Sequence, residues 1–402
     1  MLHQTTRAPA GAHAQDTRRS YPAEVASGAT GPGAARPLRV ALAAPSMRYV
    51  GGQAIQAQRL AAHLRETGAF EVEIIPHDPV LPGPLAALQR VKFVRTVVTT
   101  AWYVGLLLAR VRRADVVHTF SAAYWSYLLA PLPAIVVARL YGKPVVLNYR
   151  SGELEDHLER WPRVGPGTMR WATRIVSPTP YLVEVYRRFG LTAAVIPNFL
   201  ELEREGHRYR VRDPLRPVLL ANRNLQPLYN YPAVLEAFRR IQAEVPEARL
   251  IVAGHGPEEA RLRALVEELG LRHVEFRGKL AHRAMIALYD EADVYLNAPN
   301  LDCFPGSVLE AFAAGIPVVS TNAGGIRYIV DHGRTGLLVE TGDAAGLAAH
   351  ALRLLAAPDH ARELAANARR ELEQRYVWEA VGPQWAATYR ELVAGGRGAA
   401  QT

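Results

Sequence analysis

Leu301-Asp302-Cys303-Phe304-Pro305-Gly306-Ser307-Val308-Leu309-Glu310-Ala311-Phe312-Ala313-Ala314-Gly315-Ile316-Pro317-Val318-Val319-Ser320-Thr321 decides how the rest of the chain is read. An apolar strand ends near Asn297, a loop carries Asp302, and a helix begins around Gly306. Leu309, Phe312 and Ala313 recur at helical spacing, Gly315 ends the helix, and Pro317–Thr321 is the next strand. Strand, loop, helix and strand in that order predict a parallel α/β unit. Asp302 and Glu310 then sit at the carboxyl edge of the sheet, where open α/β folds bind ligands. A carboxylate accepts hydrogen bonds from two neighbouring hydroxyls at once, so paired acids suit a sugar and a ribose diol. The first-turn N–H groups of Gly306, Ser307 and Val308 suit a phosphate or a sugar hydroxyl. Either acid alone would read as a solvated residue.

Outward from this stretch, short apolar runs alternate with longer helical ones. The predicted strands of the first half are 39–44, 72–76, 115–118, 144–148, 174–177 and 194–197. Those of the second half are 218–221, 250–253, 273–276, 293–297, 317–321 and 336–339. Strands apolar throughout and separated by helices belong to parallel sheets covered on both faces. Two such series, split by the arginine-rich segment 201–216, predict two doubly wound domains. The expected layout is a disordered tail over 1–37, a domain over 38–200, a linker over 201–216, a second domain over 217–375, and a final segment 376–402 crossing back to the first domain.

The 402 residues are 49% apolar and 21% charged, an ordinary globular mixture that excludes wholesale disorder. One cysteine, Cys303, excludes an intrachain disulfide and a thiolate metal cluster. The net charge of +9 is lopsided. Residues 1–200 hold 23 Lys and Arg against 12 Asp and Glu, and residues 201–402 hold 24 against 26. The basic half is expected to face something anionic: a membrane surface, a phosphorylated acceptor or nucleic acid. No recognition motif accompanies the scattered basic residues, so nucleic acid is not expected as a partner. The tail has no apolar h-region of a signal peptide.

Two stretches bear on membranes. Thr96–Ala109 is uncharged but too short to span. Flanked by Arg95, Arg110, Arg112 and Arg113, it reads as a core helix with solvated ends or as an interfacial helix around Trp102. Val116–Ala138 lacks charged residues but is broken by Pro131 and Pro133, and reads as a strand, a loop and a short helix leading to Arg139.

Glycine pairs mark two further turns. Gly51 and Gly52 lie between the first strand and a helix, and Gly254 and Gly256 follow a later strand. Each pair is either a tight turn or a place where backbone N–H groups approach an anion.

Taken together, these residues resemble family-four retaining glycosyltransferases of the GT-B fold, over residues 38–392. Asp302 and Glu310 occupy the two acidic places of the Glu-x7-Glu signature. Gly51-Gly52 resembles the N-terminal diphosphate loop, Asn222-Arg223 the donor arginine, and Gly254-x-Gly256-Pro257 and Gly324-Gly325 further landmarks. The resemblance implies two Rossmann-like domains facing across a cleft. It also implies transfer of a sugar from a nucleotide diphosphate donor with retained configuration. Arg223, Asp302 and Glu310 would be catalytic, and Gly51, Gly52, Gly254, Gly256, Phe304, Gly306, Ser307 and Val308 would complete the donor site. His118, Arg150 and Glu153 are the acceptor-side candidates. No cofactor or metal is expected, since no Asp-x-Asp pair stands out. The expected partners are a nucleotide-sugar donor and an envelope glycan, polysaccharide or lipid-linked acceptor. The expected location is the cytoplasm, with peripheral contact to anionic membrane.

Three positions depart from the pattern. Tyr229 or Asn230 stands where a lysine usually follows the arginine, Arg150 where a histidine is common, and Asp302 is one methylene shorter than Glu. These departures motivate the alternative of a catalytically silent sugar-nucleotide-binding subunit.

Overall fold

A computed structural model describes residues 36–48, 51–91 and 93–399. The tail expected over 1–37 lies outside the described residues except for Arg36 and Pro37, and Arg36 is anchored to Asp115 at 2.6 Å. Among the described residues there are two six-stranded parallel sheets. The first contains β1 Leu38–Ala44, β2 Phe70–Pro76, β3 Val116–Ser121, β4 Val145–Tyr149, β5 Arg174–Ser177 and β6 Ala193–Val195, in the order β2-β1-β3-β4-β5-β6. The second contains β7 Val218–Ala221, β8 Arg249–Ala253, β9 Val274–Gly278, β10 Val294–Asn297, β11 Val318–Thr321 and β12 Leu337–Val339, in the order β12-β11-β10-β7-β8-β9. All twelve predicted strands are present, each displaced by at most a few residues. Each sheet reverses direction beside its first strand, so a crevice opens at the carboxyl ends of both.

Val116–Ala138 is not the strand, loop and single helix read from the sequence. β3 runs on to Ser121, and two helices follow, Trp125–Leu129 and Pro131–Leu140. Pro131 occupies the first turn of the second, where a missing N–H costs nothing. The apolar stretch near Trp102 is longer than its uncharged core. The helix runs from Val94 to Val111 and buries Tyr103, Leu107 and Val111.

The segment 201–216 is not a free tether. Arg212, buried, donates to the carbonyls of Tyr289, Ala292, Ala314 and Gly315. Arg210 and Arg216 converge on the buried Asp293. On the other side, Glu205 meets Arg59 of the helix Gly52–Glu66 and stands 3.1 Å from His207 and 3.6 Å from His282. Each domain is therefore pinned to the connecting segment by buried charge, and such groups are costly to leave unpaired.

The chain crosses back where Leu200 N–H donates to the Tyr376 carbonyl at 2.8 Å and pairs with Val377. The final helix, Trp378–Ala399, then packs Val381, Trp385, Tyr389 and Leu392 into the core of the first domain.

The Glu205 cluster carries a pH signature. The Glu205 carboxylate raises His282 above its ordinary value. Burial would raise Glu205, but the hydrogen bond from His207, the nearby His282 ring and the charge of Arg59 hold it well below the carboxylate range. A raised histidine contributes stability that is complete below pH 6.5 and is lost as pH climbs through its folded value. A depressed carboxylate contributes stability that is complete above pH 4.5 and is lost on acidification. The cluster is therefore strongest between those values. Thermal melting from pH 5 to 9 should show a decline above pH 6.5 that His282→Asn flattens. An unchanged slope in that variant would remove His282 from the account.

Candidate active site

Asp302 is fixed by backbone geometry before any side chain acts. Gly324 and Gly325 pass so close to the loop 302–303 that a Cβ on Gly324 would lie 2.4 Å from the Asp302 carbonyl oxygen. A Cβ on Gly325 would lie 1.9 Å from that of Cys303, and Gly325 N–H donates to the Asp302 carbonyl at 2.8 Å. Gly254, at φ 141°, would place a Cβ 2.2 Å from the Arg223 carbonyl, and Gly256 would do the same at Leu225. Gly254 and Gly256 thus let the loop carrying Arg223 approach, and neither is on the wall of the cleft described below. The sequence left a tight turn and an anion cradle open for this pair, and the crowding accounts for the turn.

The Arg223 guanidinium bridges the site. Nη2 donates to Asp302 Oδ2 at 2.5 Å and Nη1 to Ser307 Oγ at 3.2 Å. Its plane lies 4.3 Å from the centre of the Tyr229 ring, so an aromatic face supports it where a lysine was expected. Nε is buried and has no partner. Burial opposes the charge on Arg223, but Asp302 and the surrounding tyrosines outweigh it and raise the guanidinium above its usual value. Burial pushes the Asp302 carboxyl up against the pull of Arg223 and of the Cys303 and Phe304 backbone N–H groups.

Glu310 lies one turn further into the helix Gly306–Ala314 and accepts from Tyr289 Oη at 2.8 Å. Tyr289 in turn accepts from Asn222 Nδ2 at 2.7 Å, linking the second acid to the loop that carries Arg223. Tyr295 Oη holds Ser307 Oγ at 2.8 Å. Sequence reasoning missed Tyr289 and Tyr295. A tyrosine within an apolar strand such as 294–297 needs a partner for its hydroxyl, and that was the available signal.

Asp302, Arg223, Phe304 and Gly306 line one wall of a cavity of about 440 Å³ between the domains; Gly52, Gln53, Arg150 and Glu153 line the other. Gly51 is exposed immediately before the helix Gly52–Glu66. Arg150 bonds Asn198 and lies 5.1 Å over the Phe120 ring, and burial lowers it to about 10, still charged at neutral pH.

Two further expected site residues lie elsewhere. The Val308 side chain is in the core, and its N–H bonds the Pro305 carbonyl, so it is not open to a ligand. His118 is fully buried, 2.7 Å from Tyr389 Oη and stacked on Trp385. Burial, with the Arg150 charge, lowers it to about 3, so it joins the final helix to β3 rather than meeting an acceptor. Among the described residues, no group of three or more His, Cys, Asp or Glu is placed to hold a metal ion.

Two Rossmann-like domains facing across a cleft, with Arg223 and Asp302 of the second on its wall, make this a GT-B fold. The model of glycosyltransferase family 4 matches residues 50–204, and that of glycosyl transferases group 1 matches residues 208–371. The phosphatidyl-myo-inositol mannosyltransferase of Mycobacterium leprae is 32% identical over 299 residues, 72% of this chain and 78% of that protein. The chain belongs to the group 1, family-four glycosyltransferases. The N-acetyl-alpha-D-glucosaminyl L-malate synthase of Bacillus anthracis is 31% identical over 177 residues, 44% of this chain, and the match spans only 46% of that protein. In fold, the chain matches the sucrose-phosphate synthase of Thermosynechococcus elongatus with a TM-score of 0.72 at 22% identity, covering 89% of this chain and 100% of that one. Anabaena HepE in complex with UDP and glucose matches at 0.68 and 19%, covering 87% and 99%.

The glycine contacts make a contrast. Gly325→Ala should displace the 302–303 loop and lower stability by about 1–3 kcal/mol, the usual cost of overpacking. Gly105→Ala, in open space on the helix Val94–Val111, should be neutral or gain up to ~1 kcal/mol. Denaturant unfolding measures both, and equal effects would mean that the close approach is not what holds the loop.

Proposed function

We propose that the chain transfers a sugar from a nucleoside diphosphate donor, with retained configuration and without a metal, to an envelope glycan, polysaccharide or lipid-linked acceptor. The observation that carries this reading is the partly buried Arg223 fork. It is held between Asp302 and Ser307 on the cleft wall, with Nε unpartnered. A group buried with donor capacity to spare matches a ligand rich in acceptor oxygens, and a diphosphate is such a ligand. The names of relatives point to the acceptor class: one acts on phosphatidyl-myo-inositol, and a Salmonella typhimurium relative is named for colanic acid biosynthesis.

In this mechanism the donor lies on the second domain. Glu310, steadied by Tyr289, takes the ribose diol, and Asp302 takes the transferred sugar while it orients Arg223. The acceptor hydroxyl attacks from the face the diphosphate leaves, and the departing phosphate oxygen takes its proton. Arg223 and the first turn of the helix Gly306–Ala314 stabilise the charge that grows on that oxygen. Tyr229 under Arg223 and Arg150 across the cleft keep cationic and aromatic support where the family pattern departs. They favour an active enzyme over a silent binding subunit. The location that suits this reading is the cytoplasmic side, with peripheral contact to anionic membrane through the basic first domain.

Arg223→Ala should lower kcat by about 10²–10³, with Arg223→Lys recovering part, and chelator should leave the parent unaffected. Turnover abolished by chelator while Arg223→Ala keeps near-full rate would move the charge-stabilising role to a metal. Glu310→Ala should weaken nucleoside diphosphate binding by about 1–3 kcal/mol in calorimetry. Parent-like binding in that variant would remove Glu310 from the donor site.

A further inference from the structure

The two walls of the donor cleft are joined outside it by a chain of charged contacts. On the first-domain side, the helix Gly52–Glu66 starts at the cleft, where Gly52 and Gln53 line the wall. Two turns further on, its buried Arg59 donates to the Phe199 carbonyl at 2.9 Å and pairs with Glu205 of the connecting segment. On the second-domain side runs the helix His282–Glu291. His282, Met285 and Tyr289 recur on one of its faces at helical spacing. Tyr289 holds the donor acid Glu310. Met285 and Tyr289 both accept from Asn222 Nδ2, at 3.3 and 2.7 Å, next in sequence to Arg223.

The connecting segment grips this helix at both ends. At the C-terminal end, Arg212 donates to the Tyr289 and Ala292 carbonyls at 2.6 and 2.9 Å. Burial lowers Arg212 to about 10, so that hold is constant through neutral pH. At the N-terminal end, His282 Nε2 stands 3.6 Å from Glu205 Oε1. That distance is too long for a hydrogen bond, so the contact is strong only while the ring is charged. A helix N-terminus disfavours a cation, and Glu205 offsets this. Glu205 is also the main influence raising His282, and Glu310 adds to it from the donor side, while burial and Arg59 oppose the rise. His207, 3.1 Å from Glu205, meets the His282 ring edge-on at 6.5 Å. Glu201, 3.8 Å from Arg59, is taken by His63 at 2.7 Å. His282 is therefore charged below pH 6.5 and loses that charge as pH climbs through its higher folded value.

We propose that His282 and Glu205 are positioning residues of the donor site. The ion pair between them completes a strut from Gly52 to Glu310 and sets the spacing of the two walls that a nucleoside diphosphate meets together. Neither residue lines the cleft. Both act through others, Glu205 through Arg59 and the helix Gly52–Glu66, His282 through Tyr289 and Glu310. The inference rests on the glycosyltransferase reading and adds to it a control of donor affinity by the protonation of one histidine. When His282 is neutral, the helix His282–Glu291 keeps its Arg212 end and loses its Glu205 end, so the face that carries Tyr289 is held less firmly against Glu310.

The test titrates uridine, guanosine and adenosine diphosphate into the full chain by calorimetry at pH 6 and pH 9, and follows the one that binds most tightly. The parent should bind it at least about fivefold more tightly than His282→Asn at pH 6, and the two should bind alike at pH 9. Ionisation of the nucleotide is common to both proteins and cancels in that ratio. His282→Lys, charged at both values, should carry the tighter binding to pH 9. In a Glu205→Gln background, His282→Asn should weaken binding no further at pH 6. A parent-to-variant ratio that is the same at both pH values would overturn the proposal. So would a His282→Asn effect undiminished in the Glu205→Gln background, since His282 would then act on the nucleotide by its charge alone. Should Glu205→Gln fail to fold, His282→Asn and His282→Lys still decide through the pH dependence. A parent that binds none of the three nucleotides at either pH takes down the donor reading and the inference with it. Binding with a flat ratio takes down the inference alone.

Discussion

The partly buried ion pair of Arg223 and Asp302 is the constraint on which the site depends. Both charges are largely shielded from water in the cleft wall, so removing one partner leaves the other poorly compensated. The pair holds Asp302 at the carboxyl edge of β10 and offsets the desolvation of Arg223. It leaves the Nε of Arg223 without a partner. In the proposed mechanism a leaving group arriving there would meet a cation already oriented, which would leave little reorganisation for the reaction step.

The rest of the second domain works to place that pair. Gly324 and Gly325 press against the 302–303 carbonyls, and Gly254 and Gly256 against those of Arg223 and Leu225. Ser307 links Arg223 to Tyr295, and Tyr289 links Asn222 to Glu310, so both acids share one polar network. The first domain is set opposite by three separate ties: Glu205 with Arg59 and His282, the Leu200–Tyr376 crossing, and the final helix on His118. An apolar cluster that includes Leu154, Leu200, Cys303, Phe304 and Tyr376 runs between the domains, so the cleft has a packed base.

The architecture was legible because its signal is local. Runs such as 40–44 and 218–221 are apolar at every position and marked out by flanking turns, and all twelve strands followed from that pattern. Asp302 and Glu310 stood out because strand, loop, helix and strand follow one another locally around them, and Arg223 stood out only through the resemblance of Asn222-Arg223 to the family pattern. What the sequence could not show lies between residues far apart in it. His118 resembled an acceptor-side residue because nothing near it in sequence reveals Tyr389 or Trp385, which bury it. Val308 looked available because a first-turn N–H is normally open, but the bond to Pro305 uses it. Arg212 read as part of a polar linker, whereas its partners are carbonyls more than seventy residues away. The helix Val94–Val111 was underestimated because its flanking Val94–Arg95 and Arg110–Val111 were read as boundaries, although a long arginine stem is compatible with a helix end.

The central claim is that the leaving diphosphate sits on Arg223 at the end of β7. A crystal structure of the chain with uridine, guanosine or adenosine diphosphate tests it most directly. The account predicts the terminal phosphate within about 3 Å of the Arg223 guanidinium and the ribose hydroxyls on Glu310. A nucleotide bound on the first domain, or on the second with Arg223 contacting only Asp302 and Ser307, would contradict it.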